Sequence, residues 1–467
     1  MSRLGAHAVV LGGSIAGLLA ARVLADAYAE VTVVDRDDLG GGTGHRRGVP
    51  QGRHIHGLQA RGQRIVEELL PGVTAELADA GAVTSDVGRD TRWYFPAGRL
   101  RNFTAGRPAI AASRPFFEAH LRARVAALPN VRVVDRCDAQ ALVFDAHRTR
   151  VTGVEVRHGD AAPSTLTADL VVDASGRGSR VPAWLLGAGY PKVEEEKSKI
   201  GLGYTTRLYR LLTDTYDGDV TVAVVASPRH PRGAVCAKVE HDTVLLTAYG
   251  ILGDHPPTDP DGFDAFVDSL PVPDVRQVLR GAEPLGDPVA YRFPANLRRR
   301  YEQAPRLPDG LLALGDSVCS FNPTYAQGMT VAALGALTLR RHLSTGATPR
   351  PTAYFRDLAA EALDGPWEMM IDNDLAFPGV EGDRTAKVRI SHAYGALVQA
   401  AATRDERVAD AFLRVVGLID PPTALLRPAT LLRVLRGALA RAPRTPPTRP
   451  SRVTAPPQPT TGRDDTP

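Results

Sequence analysis

The sequence has few cysteines, no long hydrophobic run and no block of basic residues. Its three cysteines, Cys137, Cys236 and Cys319, are widely separated and odd in number, which argues against a disulfide framework or a metal site built on cysteines. There is no run of about 18 apolar residues that could span a membrane, and no basic N-terminal segment followed by a cleavage site. The formal net charge is only +4 without a polybasic segment, so nucleic acid is not an implied partner. These absences predict a cytoplasmic protein with no metal and no integral membrane segment.

The composition and patterning are those of a folded α/β protein. Of the 467 residues, 43% are hydrophobic and 23% are charged, which is close to globular averages and predicts a large buried core. Short apolar strand patterns alternate with helical patterns, whereas residues 201–291 have the alternating pattern of a β-rich segment. Helical patterns follow, and then a tail rich in Pro and Thr that predicts disorder. We therefore expect a parallel-sheet domain interleaved with a β-rich domain, followed by C-terminal helices.

The first motif joins the first predicted strand to the first predicted helix. The run GGSIAG at 12–17 lies where a glycine turn and free helix N-terminal amides let a pyrophosphate approach the backbone. Ser14 replaces the second glycine of the usual G-x-G-x-x-G pattern, and its small side chain still leaves room. Asp35 ends the second predicted strand, where an acidic side chain accepts hydrogen bonds from an adenosine ribose. The motif predicts dinucleotide binding by Gly12, Gly13, Ser14, Gly17 and Asp35.

Two later turns at strand ends favour a flavin among the dinucleotides. The loop DASGRGSR at 173–180 follows a buried strand pattern and brings a carboxylate and two arginines to one turn. Asp316 follows the strand pattern at 311–314 and can hydrogen-bond a ribityl chain. A helix is predicted to begin at Gly328, where the amides of Gly328 and Met329 would stabilise negative charge on a reduced flavin. Because a nicotinamide dinucleotide does not require such a turn, these residues predict FAD.

With these motifs, residues 6–345 resemble the flavoprotein monooxygenases of the p-hydroxybenzoate hydroxylase type, which include squalene epoxidase. The segments RRGVPQGRHIHG at 46–57 and FNPTYAQGM at 321–329 resemble actinobacterial polyketide-tailoring members, closest to polyether-forming epoxidases. The resemblance implies that Arg36 flanks the adenosine with Asp35, and that Arg47, directly after Arg46, is the arginine that follows the second strand. It implies FAD contacts from Gly12, Ser14, Gly17, Asp35, Arg36, Arg47, Arg114, Asp316 and Met329.

The expected fold is an FAD-binding Rossmann-like domain of the glutathione reductase type, interleaved with a β-rich substrate-binding domain. Six boundaries follow from the motif positions and the changes of pattern. We place the discontinuous FAD-binding domain at 1–80, 105–185 and 290–345, the β-rich domain at 81–104 and 186–289, the helical region at 346–442, and the tail at 443–467.

The same resemblance implies a monooxygenase whose flavin C4a-hydroperoxide epoxidises or hydroxylates a hydrophobic polyketide or terpenoid. An alkene attacks the electrophilic oxygen directly, so a dry apolar cavity is needed and no catalytic side chain is predicted. NADPH-dependent members usually have Asp-Gly where this chain has Asp173-Ala174. Electrons could therefore come from NAD(P)H or from a separate flavin reductase, and the other small-molecule partner is O2.

Three other functions stay open. A flavin-dependent reductase of isoprenoid double bonds would share the fold and consume no oxygen. A flavin-dependent halogenase needs a Trp-x-Trp-x-Ile-Pro element and an active-site lysine, and neither has a match around Trp93, Trp184 or Trp367. A non-catalytic flavin or lipid-binding module would not need the turn at 315–329.

A few other residues could be mistaken for metal ligands or reactive groups. His54 and His56 lack an acidic or cysteine partner at metal-ligand spacing, so we expect them to shape the pocket. Cys319 has no partner cysteine nearby and is expected to be a buried small residue. The charged run at 194–199 is expected to be a solvated hinge between the two domains.

Overall fold

The protein is described here by a computed structural model covering residues 3–40 and 42–439. Its first layer is a five-stranded sheet in which every neighbouring pair is parallel. The strands are β1 (Gly5–Leu11), β2 (Tyr28–Val34), β7 (Val131–Val134), β11 (Leu170–Asp173) and β18 (Leu311–Ala313). The strand order is β18-β11-β1-β2-β7, so the first strand lies in the middle.

Helices cover this sheet and complete the main hydrophobic core. Residues 8–11 of β1 are at most 2% exposed, as expected for a strand buried on both faces. The short apolar run without polar alternation in the sequence is the direct cause of this burial. The helices that belong to this part of the chain are α1 (Ile15–Leu24), α2 (Ala60–Leu69), α3 (Val73–Asp79), α4 (Arg114–Ala126), α5 (Val181–Gly187) and α8 (Gly328–Leu343).

Two small antiparallel sheets join this layer, and the sequence patterns did not predict the larger one. Three strands form it in the order β10-β9-β8, between β7 and β11 in the chain. Only six of the twenty residues in its strands are buried, so the apolar periodicity of the sequence is weak there. These strands are β8 (Cys137–Phe144), β9 (Val151–His158) and β10 (Ser164–Thr167), and the two-stranded sheet pairs β3 (Val83–Asp86) with β6 (Pro108–Ala111).

The second layer is a nine-stranded sheet. Its order is β19-β17-β12-β15-β14-β13-β4-β5, with β16 paired to β12, and two helices, α6 (Pro260–Asp268) and α7 (Asp274–Val278), interrupt the β-rich segment. The strands are β4 (Thr91–Phe95), β5 (Gly98–Arg99), β12 (Glu195–Leu211), β13 (Thr221–Val224), β14 (Arg232–Val239), β15 (Thr243–Gly250), β16 (Ala282–Pro284), β17 (Val289–Arg299) and β19 (Cys319–Ser320).

Strand pairing corrects two expectations about the boundary between the layers. The expected boundary between residues 289 and 290 falls inside β17, which pairs with β12 along most of its length and so belongs to the larger sheet. The charged run expected to be a solvated hinge is instead the start of β12. Glu195 accepts from Arg299 Nε at 3.1 Å, and Glu196 binds Arg300. Two glutamates of the run thus pair with arginines at and just after the end of β17, and Lys197 pairs with Glu195 of its own strand at 2.7 Å.

The C-terminal part is helical, as the sequence predicts. A π-helical turn at Ala359–Leu363 joins the first two helices. None of the helices in the described ranges combines the length and the apolarity that crossing a bilayer requires. The proposed tail at 443–467 lies outside the described residues. The helices are α9 (Pro351–Leu358), α10 (Asp364–Asp374), α11 (Ala386–Ala402), α12 (Glu406–Val416) and α13 (Pro428–Leu439).

Candidate functional site

A cavity of about 1940 Å³ runs from the carboxyl ends of β1, β2, β11 and β18 towards the large sheet and the C-terminal helices. Ligands of open α/β sheets bind at this edge. The volume exceeds the roughly 300–1,000 Å³ of an ordinary ligand pocket, so the cavity has room for two ligands. Eight of the eleven predicted site residues line it: Gly12, Ser14, Asp35, Arg36, Arg114, Asp316, Gly328 and Met329.

The glycines of the first motif shape the turn between β1 and α1. Gly12 has a positive φ of 102°, and a Cβ there would lie 2.5 Å from the backbone oxygen of Ala174. A Cβ at Gly17 would lie 1.8 Å from the Gly12 oxygen, so α1 packs directly on the turn. The amide of Gly13 donates to Asp35 Oδ2 at 2.7 Å. Gly13 and Gly17 therefore support the turn on the side facing away from the cavity and do not line it.

An arginine cluster lies next to this turn, and it is centred on Arg46 rather than on the predicted Arg47. Arg46 is within 2.5 Å of Asp35 Oδ2 and 3.2 Å of Asp37 Oδ2, and it also binds Glu118. Burial alone would lower the pKa of Arg46, but the carboxylates of Asp35 and Glu118 raise it above its ordinary value. Arg47 is exposed and lies outside the cavity lining. The carboxylates select the first arginine of the pair.

Glu118, which is not among the predicted site residues, connects this cluster to Ser14 and Arg114. The Ser14 hydroxyl donates to Glu118 Oε2 at 2.7 Å, and Arg114 Nε donates to the same oxygen at 3.2 Å. Burial raises the pKa of Glu118, but Arg114 and Arg46 more than reverse this and hold it below its ordinary value. The available signal was the spacing of four residues between Arg114 and Glu118, which places both on one face of α4.

Asp316 lies on the other side of the cavity, near the beginning of α8. Burial raises the pKa of Asp316, while the nearby Arg114 and Arg177 oppose this effect. A Cβ at Gly328 would lie 3.8 Å from Asp316 Oδ1, so the carboxylate faces the first residue of the helix. The helix begins at Gly328, as the sequence predicts, and Met329 follows it in the cavity wall.

Asp173 has a structural role in its own loop. It is fully buried and accepts hydrogen bonds from the Ser175 amide at 3.0 Å and from the Ser175 and Ser179 hydroxyls at 2.5 Å each. Burial raises its pKa and these donors oppose the increase. The loop lines the cavity with Ala174 and the residues that follow, while its carboxylate points into the protein.

The two histidines are held neutral. His54 is buried and hydrogen-bonds Thr206 Oγ1 at 2.8 Å, and burial lowers its pKa to about 4. His56 lines the cavity, and burial lowers its pKa to about 3, helped by the positive charge of Arg114. Within residues 3–40 and 42–439, no cluster of three or more His, Cys, Asp or Glu side chains could hold a metal. Cys319 is 1% exposed, and burial raises the pKa of its thiol well above the ordinary value, so it is unreactive.

Comparison with known proteins places the chain in a family. The sequence profile described as "FAD dependent oxidoreductase" matches residues 8–222. Protein Rv3254 of Mycobacterium tuberculosis (strain ATCC 25618 / H37Rv) is 36% identical over 437 residues, which cover 89% of this chain and 90% of that protein. The chain belongs to the FAD-dependent oxidoreductase family.

Solved structures of low sequence identity share the fold of this FAD-dependent oxidoreductase. The flavin-dependent brominase Bmp2 superposes with a TM-score of 0.66 at 14% identity, over 93% of this chain and 98% of that one. The p-nitrophenol 4-monooxygenase PnpA from Pseudomonas putida DLL-E4 has a TM-score of 0.63 at 16% identity, over 90% and 99%. Monooxygenases and halogenases thus share this architecture.

The far half of the oxidoreductase cavity is apolar, and the C-terminal helices help to form it. One wall is the face of the large sheet, and the other comes from helices α10 to α13 and the segment before α13. Phe95 of β4 meets Phe412 of α12 edge to face, with 5.0 Å between ring centroids. The sequence did not indicate that these helices line a cavity. The apolar lining includes Trp93, Phe95, Val225, Val235, Val239, Tyr394, Phe412, Leu413, Val416, Leu425 and Leu431.

Proposed function

We propose that this FAD-dependent oxidoreductase is a monooxygenase that epoxidises or hydroxylates a large hydrophobic substrate of the polyketide or terpenoid type. The observation that carries the proposal is the division of one continuous cavity. Its charged end lies at the carboxyl edge of the parallel sheet, and its other end is lined mainly by aromatic and aliphatic side chains, with polar residues of α10 and α11 among them. A cofactor and an apolar substrate would therefore meet in the middle.

The charged end fits FAD in the donors and acceptors that it offers. Arg114 and the N-terminus of α1 would hold the pyrophosphate at the glycine turn. Arg46, whose charge is shared with three carboxylates, would keep the wall of this site in place. Asp35 would bind the adenosine ribose. Asp316 would bind the ribityl chain, close to the N-terminus of α8, which would face the flavin ring.

When bound, FAD supplies the redox and oxygen-transfer chemistry. The contribution of the chain is to bind, orient and keep dry. The aromatic and aliphatic side chains of the far half would exclude water from a bound apolar substrate, and His56, neutral at physiological pH, does not add a charge beside the cofactor. We assign no side chain as a general acid or base, because direct attack by an alkene needs none.

The source of electrons is part of the proposal. The loop that carries Asp173 and Ala174 turns its carboxylate inward, where two serines use its acceptor capacity. Direct handling of NADPH by this carboxylate is therefore not supported. Two electron sources are to be compared. One is reduced flavin from a partner reductase, and the other is NAD(P)H acting elsewhere on the cavity rim.

A halogenase is the second candidate, since Bmp2 shares the fold. The lysines argue against it. The sequence has five, at positions 192, 197, 199, 238 and 387, and all of them lie within the described residues. Only Lys387 borders the cavity, and its side chain is 81% exposed. The interior of the cavity thus offers no lysine ammonium to direct a halogenating species.

The first experiment is an absorption spectrum of the purified protein, followed by NADPH addition under air with oxygen and peroxide detection. A flavin spectrum with oxygen consumption and peroxide release supports the monooxygenase. Turnover of apolar alkenes without oxygen uptake supports the double-bond reductase, and a bromide-dependent brominated product supports the halogenase. If flavin is bound but stays oxidised, a flavin reductase is added. A colourless protein that takes up no FAD contradicts the whole assignment.

The cofactor half of the proposal has its own test. Asp316→Ala removes the predicted ribityl ligand, and we expect loss of FAD from a protein that keeps its fold, measured by flavin absorbance and circular dichroism. Arg47→Ala serves as a control, because Arg47 is exposed. FAD retention by Asp316→Ala at the level of the control would contradict the assigned contact.

A further inference from the structure

A buried carboxylate outside the predicted site lies beneath the turn that leads into α8. Asp374, the last residue of α10, is fully buried. Its Oδ1 accepts hydrogen bonds from Asn322 Nδ2 at 2.9 Å and from the Tyr325 hydroxyl at 2.8 Å. Its Oδ2 accepts from Asn296 Nδ2 at 2.8 Å. One side chain of the C-terminal region thus holds three neutral donors from two other parts of the chain.

Two of those donors control the shape of the turn at 321–327. Asn322 is fully buried, and its Oδ1 accepts from the Thr324 amide at 3.1 Å and from the Thr324 hydroxyl at 2.8 Å. Asp374 fixes the orientation of the Asn322 amide, because its carboxylate accepts a hydrogen bond from the Nδ2 end of that amide. Ala326 closes the turn in the left-handed region, at φ 53°. Most of the turn, including Tyr325, lines the cavity just before Gly328.

We propose that Asp374 is a positioning residue of the flavin site, which fixes the turn at 321–327 and so the beginning of α8 against the cofactor. The inference rests on the proposed function in its FAD assignment only. It gives the C-terminal helices a second role, since they would hold the cofactor end of the cavity as well as line the apolar end. Asn296 extends the connection to β17 of the large sheet.

The neighbouring amide of Asn296 allows the effect of the Asp374 charge to be separated from the effect of its hydrogen bonds. Asn296 Oδ1 is buried and has no hydrogen-bond partner among the described residues. In the variant Asp374→Asn, rotation of the Asn296 amide would present this oxygen to the new NH2 group. The new carbonyl oxygen would still accept from Asn322 and Tyr325. All three hydrogen bonds can therefore form without the charge, whereas Asp374→Ala removes all of them.

The readouts are FAD affinity, from the change of flavin fluorescence on titrating the apoprotein, and the absorption spectrum of the bound flavin. We expect Asp374→Ala to weaken FAD binding about tenfold or more, equivalent to about 1.4 kcal/mol, and to shift the flavin spectrum. Asp374→Asn should remain within about threefold of the wild type and keep its spectrum. These readouts need no substrate, so a protein that binds FAD but transfers no oxygen would contradict the proposed function without affecting this inference.

A matched control separates positioning from loss of stability. Val398 of α11 is fully buried in the core of the C-terminal helices, so Val398→Ala should lower the melting temperature and leave FAD affinity and spectrum unchanged. Equal loss of FAD in both alanine variants would overturn the proposal, as would wild-type binding by folded Asp374→Ala. If Asp374→Ala does not fold, Tyr325→Phe decides, because it removes one donor and keeps the ring. An unchanged affinity and spectrum in that variant would also overturn it.

Discussion

Replacing Arg46 by alanine removes the cation shared by three buried carboxylates. The side chains of Asp35, Asp37 and Glu118 are only 7%, 8% and 4% exposed, so these carboxylates would stay largely buried without their partner. The predicted site residue was Arg47, one position later and exposed. The two neighbouring arginines thus provide a variant and its control in the same loop, with the same change of net charge.

The structure sets the expected loss of unfolding free energy in Arg46→Ala. Removing one partner of a buried ion pair costs about 3–5 kcal/mol, because the other charge stays buried. Glu118 keeps Arg114 at 3.2 Å and Arg122 at 3.7 Å, so we expect the lower end of this range, about 3 kcal/mol. That loss is a large share of the roughly 5–15 kcal/mol by which domains are stable. Arg47→Ala, at an exposed position, should stay within about 0.5 kcal/mol of the wild type.

The assay is urea unfolding of the apoproteins, followed by titration with FAD. We expect Arg46→Ala to lower the free energy of unfolding and to weaken FAD binding, with Arg47→Ala close to the wild type in both. Arg46→Lys should fall between them, because an ammonium keeps the charge but cannot present the guanidinium fork to three carboxylates. Indistinguishable unfolding curves for the two alanine variants would refute the reasoning from burial and geometry.

Three further outcomes follow from the same contacts. Gly12→Ala should lower the melting temperature much more than Gly176→Ala, because both glycines have positive φ but only the Cβ at Gly12 would meet backbone. Equal losses of melting temperature would mean that backbone strain from the positive φ, and not the clash, accounts for the effect. The pKa of Glu118 is lowered in the fold, so its stabilising contribution is present above its ordinary pKa of about 4.3 and is lost as the pH falls below it. Glu118→Gln should flatten this part of the stability profile, and an unchanged slope would count against the ion-pair account. His54, with a pKa lowered to about 4, costs the fold stability as the pH falls from 6.5 towards 4, and His54→Gln should reduce this loss in a pH series of thermal melts.

The parts of the fold that sequence could predict are those governed by local rules. The turn after β1 needs glycine at positions 12 and 17, because a Cβ at either would meet backbone, and the run GGSIAG at 12–17 shows both glycines. The helix at Gly328–Leu343 has the predicted limits, because its apolar, alanine-rich run begins at a glycine after a turn. Val131–Val134 likewise coincides with the predicted strand.

The parts that sequence could not predict depend on contacts between distant segments. The choice between Arg46 and Arg47 is made by Glu118, about seventy positions away. The run at 194–199 has the composition of a solvated linker, and its pairing with β17 makes it a strand. Asp374 has no motif, since its three donors come from β17 and from the turn before α8.

The order of strands in the parallel sheet also bears on how the protein is made. β1 lies between β2 and β11, and β18 completes that edge only after eight of the nine strands of the large sheet have been synthesised. At about 5–20 residues per second, the ribosome needs roughly 15–60 s between the glycine turn and Asp316. During that time the nascent chain cannot retain FAD with both ends of the site. We therefore expect chains cut before β18 to depend on chaperones, and cofactor loading to come late in the life of each new molecule.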